Sequence, residues 1–388
     1  MTENKRSCSI AFTGDIGFDK YMAGKWTDEE LLSDDILDFL NSSDHVVANV
    51  EAAMVAVNDD KPRSQFFHAM DPDARHLLSK MNADIWNIGN NHIMDAGLEG
   101  ILSTKKITSE MGVRTIGAGL NEKDASTPVY LSEAGGIGLL GVAFQRGCKP
   151  ASETEPGNFR WDNMEYIEKR IKEIKSKCRW CVVVSHGSEE FAPLPNPYVR
   201  DRYLKYLEMG ADVIISHHPH VPENYETFDN GKAIFYSLGN FIFDTPYQRA
   251  HKYTDIGILV RLNFTETEMT FEAIGTKLDR EKEHITIGPL PGIFADIRQE
   301  DYDLLLPLAS KAFLKEEQRK MIYWKPQEFE NATPEQWDTY FHSDKTDGYV
   351  KGCYMDLSLV VPYAEKAATG EWKNSRLHAV KDYLLQLI

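Results

Sequence analysis

The chain has no dense block of lysine or arginine anywhere in its 388 residues, and 43 basic residues are outnumbered by 60 acidic ones for a formal net charge of -17. A nucleic-acid footprint needs clustered cations to neutralise phosphates, so that class of function is excluded. No run approaches the ~20 apolar residues of a membrane-spanning helix. The opening MTENKRSCSIAFTGD passes from a polar stub into an apolar strand without the apolar core of about 7 to 15 residues that marks a secretory signal. A cytoplasmic protein without a membrane span is therefore expected. Cysteine is scarce, and five residues, an odd number in a long chain, fit reduced thiols better than a disulfide framework. Cys178 and Cys181 form an isolated CxxC at the entrance to a strand, with no second pair to complete a metal site.

What is present is an ordinary folding composition, 42% hydrophobic and 27% charged, which favours neither a disordered nor a fibrous chain. The length suits one large domain or two. Between residues 7 and 285 short apolar runs alternate with helical patterns, the signature of an α/β arrangement. Residues 8–13, 45–50, 83–88, 137–143, 180–185 and 211–216 read as buried strands. Helices are predicted over 27–41, with Thr27 as N-cap, and over 72–81, 97–111, 162–177 and 199–209, the last closed by Gly210. Residues 255–264 and 268–278 read as an antiparallel pair that completes a second sheet. Beyond residue 286 the chain is helix-prone and aromatic, giving a division into a main domain at 7–285 and a mainly helical extension at 286–388.

Several strands end in a polar, metal-competent residue followed at once by a loop, where open α/β sheets place their sites. The first strand runs into Thr13-Gly14-Asp15. The second ends in Asn49-Val50-Glu51, and two-residue alternation puts Asn49 and Glu51 on one face. The third leads to Gly89-Asn90-Asn91-His92, where an amide oxygen can complete a carboxylate and imidazole site and an imidazole can protonate a leaving group. The fourth ends in Ser185-His186, and the fifth in Ser216-His217-His218-Pro219-His220, three histidines in five residues. Each fragment alone is also compatible with a turn, a cap or a satisfied histidine. Together, a mixed carboxylate, amide and imidazole set without thiolates favours a catalytic metal site over a structural zinc site. Two divalent cations about 3.5 to 4 Å apart would acidify a water and neutralise developing oxyanion charge.

With these residues in view, the chain resembles the CapA family of poly-gamma-glutamate capsule biosynthesis proteins, within the calcineurin-like metallophosphoesterase superfamily. The likeness is carried by FTGD at 12–15, ANVE at 48–51, GNNHIMDAG at 89–97, GAGLNEKDASTPV at 117–129, SHGSEEF at 185–191, GADVIISHHPHVPE at 210–223 and YSLGNFIFD at 236–244. It implies a four-layer sandwich of two mixed sheets flanked by helices. It also implies Asp15, Glu51, Asn91, His186, His218 and His220 as ligands of two divalent ions (manganese, zinc or iron), with Glu51 as a bridge and His92 as general acid. Two departures stand out. The superfamily's first motif reads Asp-x-His where this chain has Asp15-Ile16-Gly17, and the Trp-Gly that commonly follows the fourth-strand histidine is replaced by Gly187-Ser188, with Glu190 and Phe191 after it. Asn240 and Asp244 would organise the site from behind, or form a turn beneath the sheet, and Arg63 and Glu190 would meet an anionic or glutamyl-type substrate. The implied activity is hydrolysis of a phosphoester or of a glutamyl or peptide-like amide by metal-activated water. A non-catalytic partner of a polymer synthetase and a cytoplasmic tailoring enzyme for a small metabolite are the alternatives.

Overall fold

The computed structural model describes residues 6–56, 63–64, 66–144, 147–343, 345 and 377–388. The principal strands, in chain order, are β1 (Ser7–Ile16), β2 (His45–Val50), β3 (Ala83–Asn87), β4 (Arg114–Ile116), β5 (Val129–Leu131), β6 (Ile137–Ala143) and β7 (Trp180–His186). They are followed by β8 (Val213–His217), β9 (Tyr225–Thr227), β10 (Ala233–Phe235), β11 (Asn240–Ile242), β12 (Ile256–Thr265), β13 (Met269–Asp279) and β14 (His284–Gly288). The helices that frame them are α1 (Asp34–Asn41), α2 (Arg75–Lys80), α3 (Gly97–Met111), α4 (Met164–Lys177), α5 (Pro197–Met209), α6 (Gln299–Trp324) and α7 (His378–Leu387).

The strands form two large sheets. One is ordered β14-β13-β12-β1-β2-β3-β4, with β11 also pairing β1, and the other β9-β10-β8-β7-β6-β5. Alternation along each strand divides the core. On β2, Val46 and Ala48 face a cluster that includes Ile36 and Leu40 of α1 and Ile101 of α3. Val47 faces the opposite way, into a cluster shared with Leu139, Val182 and Ile215 of the second sheet. The outer face of that sheet, through Leu140, Val183 and Ile214, packs on Ile167 and Ile171 of α4 and Tyr203 of α5. The result is helix, sheet, sheet, helix: the expected four-layer sandwich. Every residue of β7 is buried, as a strand covered on both faces requires.

A helical C-terminal region packs on the sandwich, with Leu305, Leu308 and Ala312 of α6 meeting Val380 and Leu384 of α7. None of the described helices is long and apolar enough to cross a membrane.

The helix at 97–111 has the expected bounds, and Gly210 closes α5 at φ 120°. Two expectations are corrected. The helix predicted from Thr27 begins instead at Asp34, and Thr27 ends a short 3-10 turn. Leu31 and Ser33 spend their backbone groups on Ile285 (2.7 and 3.0 Å), so tertiary pairing holds this stretch out of a helix. The hairpin β12–β13 extends the first sheet rather than completing the second, because β12 pairs antiparallel with β1 from Ser7 to Phe12.

Candidate metal centre

The parallel strands of both sheets deliver their C-terminal ends to one place. In the first sheet Asp15 lies opposite Asn49 of β2 and Asn240 of β11. Gly14 permits this approach, since a Cβ there would stand 2.3 Å from Gly239 O. In the second sheet His186 pairs with His217 and Ala143 in register, and the loop after β8 carries His218 and His220. Both of these histidines adopt positive φ, 97° and 60°. Backbone strain of this kind in a non-glycine residue persists only where the surroundings enforce it, and it gathers at functional sites.

Two buried triplets result: Glu51, His186 and His218 in one, Asp15, Glu51 and His220 in the other, the ligand atoms of each within 4.8 Å of one another. Glu51 belongs to both. Its Oε1 lies 3.4 Å from His186 Nε2 and 3.6 Å from His220 Nε2, while neither of its buried oxygens has a hydrogen-bond partner. A buried carboxylate without donors is costly unless a cation satisfies it. The donor chemistry, imidazole and carboxylate with an amide nearby, suits divalent manganese, iron or zinc. These residues therefore fit two metal ions sharing Glu51. Asn91 lies beside the first triplet, its Oδ1 2.9 Å from His186 Nε2.

The surrounding polar groups orient the ligands. Asn49 Nδ2 donates to Asp15 Oδ1 at 2.8 Å and lies 3.3 Å from His186 Nδ1, while Asn49 Oδ1 accepts from Asn87 Nδ2 at 2.8 Å. His220 Nδ1 lies 2.9 Å from Asn240 Oδ1 and 3.1 Å from Asp15 Oδ2, and Asn240 is itself fixed by Gln248 and the carbonyl of Thr254. Such supports set the tautomer and aim of a ligand.

Burial and charge set the protonation of the metal-free centre. Burial pushes the Glu51 carboxyl up to about 8 against the pull of His220. Burial would also raise Asp15, but the close His220 ring and the neighbouring imidazoles bring it down to about 2. His220 is raised to about 10, burial being outweighed by Glu51 and Asp15. Burial lowers His186 to about 3, His217 to about 4 and His218 well below the usual imidazole range. His186, His217 and His218 are thus neutral in the metal-free centre.

The remaining predicted residues are placed as follows. His92 borders the cavity in front of the triplets, its Nδ1 2.8 Å from Asp95 Oδ2. Glu190 lines the same cavity and accepts from the Tyr247 hydroxyl at 3.1 Å. Asp244 does not join the triplets, since Arg249 and Arg280 hold its buried carboxylate. Arg63 is exposed, with its guanidinium 4.9 Å from the Phe67 ring, and does not border the cavity. Sequence reasoning missed His68, whose Nδ1 meets Asp19 at 2.7 Å and whose ring centroid lies 4.3 Å from that of His92. It missed Asp95 too, although GNNHIMDAG carries that residue three positions after His92. Gly17 lies against Phe243, where a Cβ would be 2.7 Å from the ring, so a histidine at this position would have to displace that buried ring.

A two-sheet α/β sandwich with two buried His/Asp/Glu triplets sharing Glu51 at its strand ends defines, as a class, a protein with a candidate metal centre. Residues 9–245 match the family described as bacterial capsule synthesis protein PGA_cap, and the chain belongs to that family. It is 30% identical over 250 residues to the PGA biosynthesis protein CapA of Bacillus subtilis, covering 62% of this chain and 64% of the relative. It is 30% identical over 221 residues to the capsule biosynthesis protein CapA of Bacillus anthracis, covering 54% and 53%. A probable polyglutamine synthesis accessory protein of Mycobacterium tuberculosis is 22% identical over 215 residues, covering 52% and 56%. The chain thus spans less than two thirds of the length of each of these relatives.

Proposed function

We propose that the protein is a hydrolase that uses two divalent ions to cleave a phosphoester, or a glutamyl or peptide-like amide, in poly-gamma-glutamate or capsule metabolism. One observation carries the reading: two buried ligand triplets share Glu51, whose oxygens lack any other partner. Ions held there supply Lewis acidity and a water of lowered pKa. The chain's own residues do the rest. Asp15, His186, His218, His220 and Asn91 would hold the ions, and Glu51 would fix their separation. His92, its Nδ1 held by Asp95 and its Nε2 by the Asn91 amide at 2.9 Å, would protonate the leaving oxygen or nitrogen through Nε2 once the substrate takes the place of that amide contact. The capsule and polyglutamate context comes from the names of the relatives.

Metal analysis and turnover test the reading together. The expected result is about two transition-metal ions per chain and hydrolysis of bis-p-nitrophenyl phosphate or a gamma-glutamyl anilide, both abolished in His218→Ala. Less than one ion per chain, with neither substrate cleaved under manganese, zinc or iron, would favour a non-catalytic scaffold instead.

A further inference from the structure

The cavity in front of the metal centre measures about 430 Å³, and its two sides differ in chemistry. The inner side presents Asn91, His92, Glu190 and His220. The outer side is a cluster of rings: Phe66, Tyr247, Tyr323 and Trp324. Trp324 is its hub, with ring centroids 5.0 Å from Phe66, 4.8 Å from Tyr247 and 4.5 Å from Tyr323. Phe66 remains 50% exposed, so the cluster is an open wall and not a sealed core.

This wall is built with care from distant parts of the chain. Tyr323 and Trp324 end α6, well beyond the family match at 9–245. Buried His251 meets buried Glu316 of α6 at 2.9 Å. His251 in turn stacks on Phe191 at 3.6 Å, and Phe191 follows Glu190 in the loop after β7. The helix is therefore pinned to the loops that border the metal centre, which fixes where its last two rings stand. A helix serving only to cover the sandwich would not need aromatic faces left open to the cavity.

We infer that the outer half of the site binds a planar, uncharged ring on the substrate, stacked on Trp324 and meeting Tyr323, whose plane is turned 83° from that of Trp324, edge to face, while the hydrolysable group lies at the metal centre. This rests on the hydrolase reading for the position of the reacting group. The charge of the wall argues for a neutral ring over a run of carboxylates: among the described lining residues Lys20 is the one lysine or arginine, and its ammonium already donates to Phe67 O and faces Asp19. A free gamma-glutamyl chain would meet four rings there. An aryl or heteroaryl group would gain offset or edge contacts at each of them.

Calorimetry on the manganese-loaded full chain tests the assignment with two pairs of probes: phenylphosphonate against cyclohexylphosphonate, and phenylacetate against cyclohexylacetate. The members of each pair match in charge and approximate size and differ in planarity. In at least one pair the phenyl compound is expected to bind about three- to tenfold more tightly, and Trp324→Leu should bring that ratio close to one. If Trp324→Leu lowers the melting temperature by more than a few degrees, Tyr323→Leu is read in its place. Equal affinities within both pairs, no binding by any of the four probes, or a preference that survives in the variant would each overturn the inference. Continued turnover of bis-p-nitrophenyl phosphate alongside any of those outcomes would leave the hydrolase reading standing, so the two failures are distinct.

Discussion

Gly17 packs against Phe243 so closely that a Cβ at position 17 would stand 2.7 Å from ring atom Cε2. The Phe243 ring in turn lies 4.8 Å from that of the ligand candidate His220, at 29°. An apolar ring thus fills the space a first-motif histidine would need. Gly17→His is expected to lower the melting temperature through overpacking, on the order of 1–3 kcal/mol, without adding metal. Gly17→His with Phe243→Ala opens the space and should recover part of that loss. Thermal melts with parallel metal analysis check both, and a stable single variant with raised metal content would refute the steric argument.

Glu51 is a liability to the metal-free protein and an asset to the loaded one. Its folded pKa, raised to about 8 by burial, lies above the ordinary carboxylate value. The stability it contributes is therefore present below that ordinary value and lost as pH rises through about 8. His220, raised to about 10, acts in the same direction at higher pH. Metal-free protein should consequently be less stable at pH 9 than at pH 6, and Glu51→Gln should flatten that decline. In the presence of metal the order reverses, with uptake by the variant weakened by about 100-fold or more. Denaturant unfolding at the two pH values, with and without chelator, reads each effect.

The neutral histidines set the acid limit. His186 and His217 are lowered by burial to about 3 and about 4. A depressed folded pKa means that stability is present above the ordinary imidazole value and lost as pH falls toward these values. Between pH 6.5 and 4.5 each group should cost the metal-free protein up to about 1.4 kcal/mol per pH unit. Glu51 acts in the opposite sense over this range, so unfolding midpoints of Glu51→Gln at pH 7, 5.5 and 4.5 measure the slope. An unchanged midpoint across that range would mean that these rings are already solvated or charged in the folded state.

Much of the centre was legible because its residues close strands. Asp15, Glu51, His186 and the pair His218 and His220 each follow an apolar run, and strand ends meet where the sheets meet. His68 carried no such signal: it belongs to no helix or strand and reaches the site through Asp19 and the ring of His92. Trp324 lay further from reach, since an aromatic pair at the end of a helix reads as packing until α6 is seen pinned beside the cavity. Thr27 failed for the opposite reason. Its local cap signal was sound, but backbone pairing with Ile285 overrode it.

His92 and Asp95 divide one task. Asp95 Oδ2 lies 2.8 Å from His92 Nδ1 and also accepts the backbone N–H of His68 at 2.9 Å, so a single carboxylate orients the proposed proton donor and ties it to the neighbouring loop. Neither residue belongs to the metal triplets. His92→Asn should therefore keep its metal and lose activity by about 10²- to 10⁴-fold. The loss should grow with the basicity of the leaving group, because a p-nitrophenolate departs without help and an alkoxide or amine does not. Asp95→Asn should show the same dependence more weakly, since the imidazole remains but its aim is relaxed. Rates on a p-nitrophenyl and an alkyl ester, measured for both variants at equal metal content, give the comparison. Equal losses on the two esters would assign His92 to substrate binding and leave the proton donor to be sought at His68.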